Sequence, residues 1–197
     1  MAHHYVFADM SISSAVNDAV FARKAGAVVG DAIHRDALLG DDIAILPVGV
    51  RSVESSVATT LTLGPAYRQD DAAQTVGDLI ASLPGRPDAK QPGTNLIYAL
   101  ENAGIQCGGR GTVTIISDGR DSSLDVNDAA IIDGTGSLPA PTTKYLHGCK
   151  ITVLGIGLSV TDHPLTNAQT INLKNAWMQY FVRAGADPSR VTLRTAL

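Results

Sequence analysis

Three stretches far apart in the chain carry side chains that suit a hard metal ion: Asp9-x-Ser11-x-Ser13, Thr94 and Asp118-Gly119. All five side chains offer oxygen. The set contains no histidine or cysteine, which argues for a hard divalent cation and against zinc. Mg²⁺ takes about six oxygens in an octahedron and typically keeps several waters. Two carboxylates and three hydroxyls would leave positions for water and for one ligand from outside. Singly, each stretch has an ordinary explanation. A Ser-rich loop after a strand is a helix N-cap, Thr94 caps its own helix, and Asp118-Gly119 is a strand-end turn. What singles them out is their joint occurrence where a strand or loop hands over to a helix.

The elements that must position these residues follow from hydrophobic periodicity. Residues 5–8 form a short apolar strand ending at Asp9. A helix is expected over 14–33, where Ala15, Ala19, Ala22, Gly26, Val29 and Ile33 share one face. Residues 43–50 read as a strand buried on both faces. Residues 57–63 alternate with period two, as in a half-exposed edge strand, and the short connection before them predicts antiparallel pairing. Val76, Leu79, Ile80 and Leu83 mark a second helix ended by Pro84-Gly85, and a third is expected over 94–102. Buried strands are expected over 112–117 and 150–158, with a short helix over 125–132 between them. Leu173, Ala176, Trp177, Tyr180, Phe181 and Ala184 give a further helical stripe, better read as core than as a binding face, and residues 191–195 a last strand. Strands alternating with helices predict an α/β domain with a mostly parallel sheet, one domain over 1–197.

Composition narrows the function classes. The net charge of −4 and 5% aromatic content disfavour nucleic acid as a partner. The N-terminus has no charged and apolar secretory pattern, and no apolar run approaches the roughly 20 residues that span a bilayer. The chain is therefore expected to be cytoplasmic and not inserted in a membrane. Cys107 and Cys149 lack metal spacing and are expected to be free, partly buried thiols, although a disulfide is geometrically conceivable.

Phe7-Ala8-Asp9-Met10-Ser11-Ile12-Ser13, Gly93-Thr94-Asn95-Leu96 and Ile115-Ile116-Ser117-Asp118-Gly119 together resemble the metal-ion-dependent adhesion site of the von Willebrand factor type A (VWA) family. Residues 151–157 look like that family's fifth strand. The resemblance implies a Rossmann-like three-layer fold with sheet order 3-2-1-4-5-6 and strand three antiparallel. It also implies that Ser11, Ser13 and, in some states, Thr94 bind Mg²⁺, Mn²⁺ or Ca²⁺ directly, with Asp9 and Asp118 often acting through water. The carboxylates nearly neutralise the ion, the hydroxyls leave it electrophilic, and an Asp or Glu of a partner protein completes its shell. In bacteria, stand-alone members often accompany AAA+ ATPases or larger assemblies, so such a partner is implied. The chain stops just after the last strand, so a displaceable C-terminal helix is not assumed.

Two other function classes compete with this non-enzymatic binding module. A Mg²⁺-dependent phosphotransferase or phosphatase of the haloacid-dehalogenase type would place Asp-x-Asp after the first strand, and Ser11 stands where the second, acid/base aspartate is needed. Nucleotide binding would rest on Gly155-x-Gly157, which lacks a third glycine. Near the site, His163 is a candidate for the partner surface, and Arg120 and Asp121 either shape the rim or pair with each other.

Overall fold

Along the strand His3–Asp9 (β1), Tyr5 and Phe7 enter one apolar core while Val6 and Ala8 enter another. A strand of that kind must be covered on both faces. The computed structural model, which describes residues 1–50, 58–161 and 163–197, places β1 in the middle of the sheet. Asp42–Val48 (β2) and Thr112–Ile116 (β4) flank it in parallel. Thr59–Thr62 (β3) pairs antiparallel with β2, and Lys150–Leu154 (β5) and Val191–Arg194 (β6) extend the sheet in parallel beyond β4. The order β3-β2-β1-β4-β5-β6 and the antiparallel third strand are those implied above. The start of the expected edge strand, Val57, lies outside the described residues.

Helices cover the two faces. Ala19–Asp36 (α1) and Gln69–Ala81 (α2) bury Phe21, Val29, Ile33, Val76 and Ile80 on one side. Leu96–Asn102 (α3), Asp128–Ile132 (α4) and Asn167–Arg183 (α5) bury Leu96, Leu100, Ile131, Trp177 and Phe181 on the other. Trp177 and Phe181 are core, as the stripe predicts, with ring centroids 5.4 Å apart.

Coverage is uneven on the α1 side. Thr114, Thr152 and Thr192 stand in register across β4, β5 and β6. With Asp31, Arg35 and Lys150 they line a cavity of 300 Å³ between α1 and the sheet. The chain leaves this part of the sheet polar, in keeping with its contact with water.

Some boundaries move for local reasons. The first helix does not run from residue 14. A 3₁₀ turn, Ala15–Asn17, precedes α1, and Asp18 caps α1 by accepting from Phe21 N at 2.7 Å. The fifth strand stops at Leu154 because the chain turns there, and Gly157 N donates to Asp118 O at 2.7 Å.

The cysteine expectation is overturned. Cys107 and Cys149 form a disulfide with their Cα atoms 5.1 Å apart, and no free cysteine is found among the described residues. The cause is register. β4 and β5 begin pairing at Thr112 and Lys150, and the turn ahead of β4 is closed by Gly111 N donating to Cys107 O at 2.6 Å. That fold-back brings Cys107 beside Cys149 at the amino ends of the strands, and no spacing in the sequence specifies it. Among the described residues no helix is long and apolar enough to cross a membrane. Denatured, unreduced protein should therefore give no thiol signal with a maleimide mass tag and two tags after reduction. Cys107→Ser/Cys149→Ser should lower unfolding stability by about 2–4 kcal/mol in a urea titration.

Candidate functional site

β1 and β4 are parallel neighbours with Ala8 opposite Ile116, so the next residues of both strands emerge together at their carboxyl ends. Asp9 is the last residue of β1, and Ser117 and Asp118 follow β4 directly. The Ser117 hydroxyl donates to Asp9 Oδ2 at 2.7 Å. Asp9 Oδ1 accepts from Ser11 N at 2.9 Å and from the Thr94 hydroxyl at 2.8 Å. One buried carboxylate thus gathers the loop after β1, the segment before α3 and the end of β4.

Backbone bonds fix the loop that carries the serines. Met10 N donates to Val48 O, Ile12 N to Gln91 O, and Gln91 N to Met10 O, at 2.7–2.8 Å. Ser11 Oγ and Ser13 Oγ lie 3.3 Å apart. Together with Thr94 they line a cavity of 430 Å³.

Thr94 does not cap its helix. The N-cap of α3 is Asn95, which makes no side-chain cap bond, and the Thr94 hydroxyl goes to Asp9 instead. The orphan Ile97 N–H at the start of α3 donates to Asp121 Oδ2, at 2.9 Å across the chain. Ser122 holds Thr94 from both sides, accepting from Thr94 N at 2.7 Å through its hydroxyl and donating its own N–H to Thr94 O at 2.9 Å. Gly93 is needed for this approach, because a Cβ there would lie 2.4 Å from Ser122 Oγ.

The Asp118 turn is held by a different set of contacts. Gly119 has φ +79°, and a Cβ on it would meet Ile156 Cγ1 at 2.9 Å. Trp177 Nε1 donates to Gly119 O at 2.7 Å, and Arg120 N to Asp118 Oδ1 at 2.9 Å. Arg120 pairs with Asp128 at 2.7 Å, while Asp121 is buried against α3, so the two are not partners of each other. His163 is exposed and does not line the cavity.

The structure therefore brings together all five residues singled out by sequence, Asp9, Ser11, Ser13, Thr94 and Asp118. Sequence reasoning missed Ser117, Ser122 and Trp177. The available signal for Ser117 was a small polar residue at the end of a buried strand. For Trp177 and Ser122 there was none.

The electrostatics are those of two carboxylates in a dry place. Asp9 and Asp118 are each 1% exposed. Burial pushes the Asp9 carboxyl above its ordinary value, against the bonds from Ser117, Ser11 and Thr94. Burial and then the Asp9 charge push Asp118 up to about 7, against the Arg120 N–H and the Ser13 hydroxyl. Asp118 Oδ2 is buried without a hydrogen-bond partner. An orphaned carboxylate oxygen beside a second carboxylate and three hydroxyls suits a small divalent cation. Among the described residues no cluster of three or more His, Cys, Asp or Glu side chains could hold a metal, so any site here is a mixed carboxylate–hydroxyl one.

Fold and site together define an open α/β sheet protein whose candidate ligand site lies beyond the carboxyl ends of its central strands, where the strand order reverses. The chain matches no protein-family model and no curated relative. It is similar to the solved structure of the pilus adhesin SpaC from Lactobacillus rhamnosus GG in its open conformation, with 15% identity over 98% of this chain and 28% of the adhesin, TM-score 0.46. A second structure of that adhesin gives 16% identity, 99% and 28% coverage and TM-score 0.48. An aerotolerance-related membrane protein from Bacteroides fragilis NCTC 9343, with multiple mutations to serines, gives 14% identity over 98% of this chain and 91% of that one, TM-score 0.46. The chain thus spans less than a third of the adhesin.

A carboxyl whose folded pKa is raised contributes stability below its unfolded pKa of about 3.8, and loses that contribution as pH rises through the folded value, about 7 for Asp118. In chelator, wild type should thus lose stability relative to Asp118→Asn between roughly pH 4 and 8. Melting curves of both proteins across that range check this. A constant gap would show that the buried charge pair carries no such penalty.

Proposed function

We propose that this chain is a VWA domain acting as a non-enzymatic, divalent-metal-dependent protein-binding module. Asp9, Ser11, Ser13, Thr94 and Asp118 would hold Mg²⁺, or Mn²⁺ or Ca²⁺ in its place. The observation that carries this reading is the unpartnered, buried Asp118 oxygen beside Asp9, under a cavity lined by the Ser11, Ser13 and Thr94 side chains. A bound ion would offset the charge of the two carboxylates and present a Lewis-acidic position to an Asp or Glu of a partner protein. The chain's own groups do the positioning. Ser117 and Thr94 fix the Asp9 carboxylate, and Trp177 and Gly119 fix the turn that carries Asp118. Ser11 stands where a phosphatase of the competing class needs an acid/base carboxylate, which favours binding over catalysis.

Of the partners implied by the resemblance, a larger assembly in an oxidising compartment accords with the Cys107–Cys149 disulfide better than a cytosolic AAA+ ATPase does. This weighs against the cytoplasmic location expected from the sequence.

Calorimetric titration of Mg²⁺ and of Mn²⁺ into metal-stripped protein tests the metal site. One saturable site is expected in wild type, weakened about tenfold or more in Asp9→Ala and in Ser11→Ala. Equal binding by wild type and Asp9→Ala, with both proteins folded by circular dichroism, would sink the reading.

A further inference from the structure

The rim of the candidate site has a chemistry of its own. Among the described residues, four large aliphatic side chains stand out on the loops that surround the cavity, one from the carboxyl end of each of four strands. Leu124 is fully exposed, and Ile12, Val50 and Val160 are close to half-exposed. Ile12 lies between Ser11 and Ser13 and lines the cavity itself. Val50 reaches the opposite wall, where its Cγ1 lies 3.8 Å from the position of a Cβ on Gly93. Val160 N donates to Ser13 O at 3.0 Å, and the adjacent Thr161 lines the cavity. Leu124 sits in the turn closed by Val126 N donating to Ser123 O at 3.1 Å, and Val126 is again a lining residue.

Ile12, Val160 and Leu124 are exposed on loops that backbone bonds tie down. The loop of Ile12 is laced to Gln91, that of Val160 to Ser13, and the Ser123 end of the Leu124 turn to Asp121. A partner that covers them pays little ordering cost on this side. Among the described residues that line the cavity, Arg120 is the one cation, it pairs with Asp128 at 2.7 Å, and Asp121 adds a second carboxylate. An acidic stretch of partner would therefore meet more carboxylates than cations among the described lining residues. The floor offers a place for one carboxylate and the rim offers aliphatic surface around it. None of the four rim side chains is aromatic, so they provide no stacking platform for a sugar ring or a base.

Building on the metal-dependent reading, we propose that the partner presents a protein loop in which a single Asp or Glu is flanked on both sides by bulky apolar residues. The carboxylate enters the cavity, and the flanking side chains cover Ile12, Val50, Leu124 and Val160. Charge complementarity is confined to one point at the floor, and the surrounding contact is hydrophobic. An acidic tail or an anionic sugar does not match this division.

A displayed library of disulfide-cyclised peptides with one fixed central aspartate and randomised flanks tests this on the whole chain in millimolar Mg²⁺. The flanks should converge on Leu, Ile, Val, Met or Phe. A selected peptide, synthesised and titrated, should bind Leu124→Ser/Val160→Ser about tenfold more weakly than wild type. Mg²⁺ binding by that variant, read by calorimetry, should be unchanged, since both substituted side chains face solvent. Peptide binding should vanish in chelator and in Asp9→Ala. Mg²⁺-dependent binding with random or polar flanks, or with no loss in the double variant, would overturn the apolar partner and leave the metal-dependent module standing. A selection that yields only Mg²⁺-independent binders would overturn both.

Discussion

Two carboxylates buried side by side at the ends of adjacent parallel strands are the constraint around which the rest of this molecule is arranged. Taking even one charge out of water is expensive, and a second like charge beside it compounds the cost. Asp9 is made tolerable by hydroxyls brought from Ser117 and Thr94 and by the Ser11 N–H. Asp118 has the Arg120 N–H on Oδ1 and the Ser13 hydroxyl close by, while its Oδ2 is buried without a hydrogen bond. Each of these donors needs a backbone held in place. The loop after β1 is therefore tied to β2 and to Gln91, Thr94 is gripped by Ser122, and the turn after Asp118 is tied to α5 through Trp177. The core beneath is stiff for the same reason. A parallel sheet covered on both faces of its central strands offers little room for either strand end to relax.

Much of this was legible in the residues. The oxygen-bearing side chains, their placement at strand-to-helix boundaries and the alternation of strands with helices could be read directly. The sheet order came from the family resemblance to which those residues pointed. What escaped was set by three-dimensional register. Thr94 reads as a helix cap, and only the fold shows its hydroxyl spent on a carboxylate 85 residues away. Asp121 reads as a surface acid, yet it serves as the remote cap of α3. Cys107 and Cys149 read as free thiols ahead of two adjacent strands, because nothing local says that the turn before β4 folds back against the start of β5. The helix expected from residue 14 was displaced because the backbone first has to curl so that Ser11 and Ser13 share a wall, and Asp18 then starts the helix afresh.

The two ends of the sheet divide the labour. At the amino ends of β4 and β5 a covalent link fixes the strands, and Asp41, buried beneath Arg110, takes hydrogen bonds from Ala2 N and Leu38 N that hold its carboxyl below the ordinary range despite its burial. At the carboxyl ends the strands diverge into loops that carry hydroxyls, carboxylates and an aliphatic rim. The disulfide belongs to the first end, and the second holds the unsatisfied Asp118 oxygen and the aliphatic rim. Such a distribution is common where function tolerates local instability that the scaffold offsets elsewhere.

The Asp9–Ser117 hydrogen bond joins residues 108 apart in sequence, and the Asp9–Thr94 bond joins residues 85 apart. Contacts of such long range carry the entropic cost of drawing the intervening chain together. A nascent chain that has not yet presented β4 has no partner for Asp9, and a chain whose sheet has slipped register has no cavity. The floor of the site thus exists only once β1 and β4 are paired, and competence there doubles as a report that the centre of the sheet has assembled.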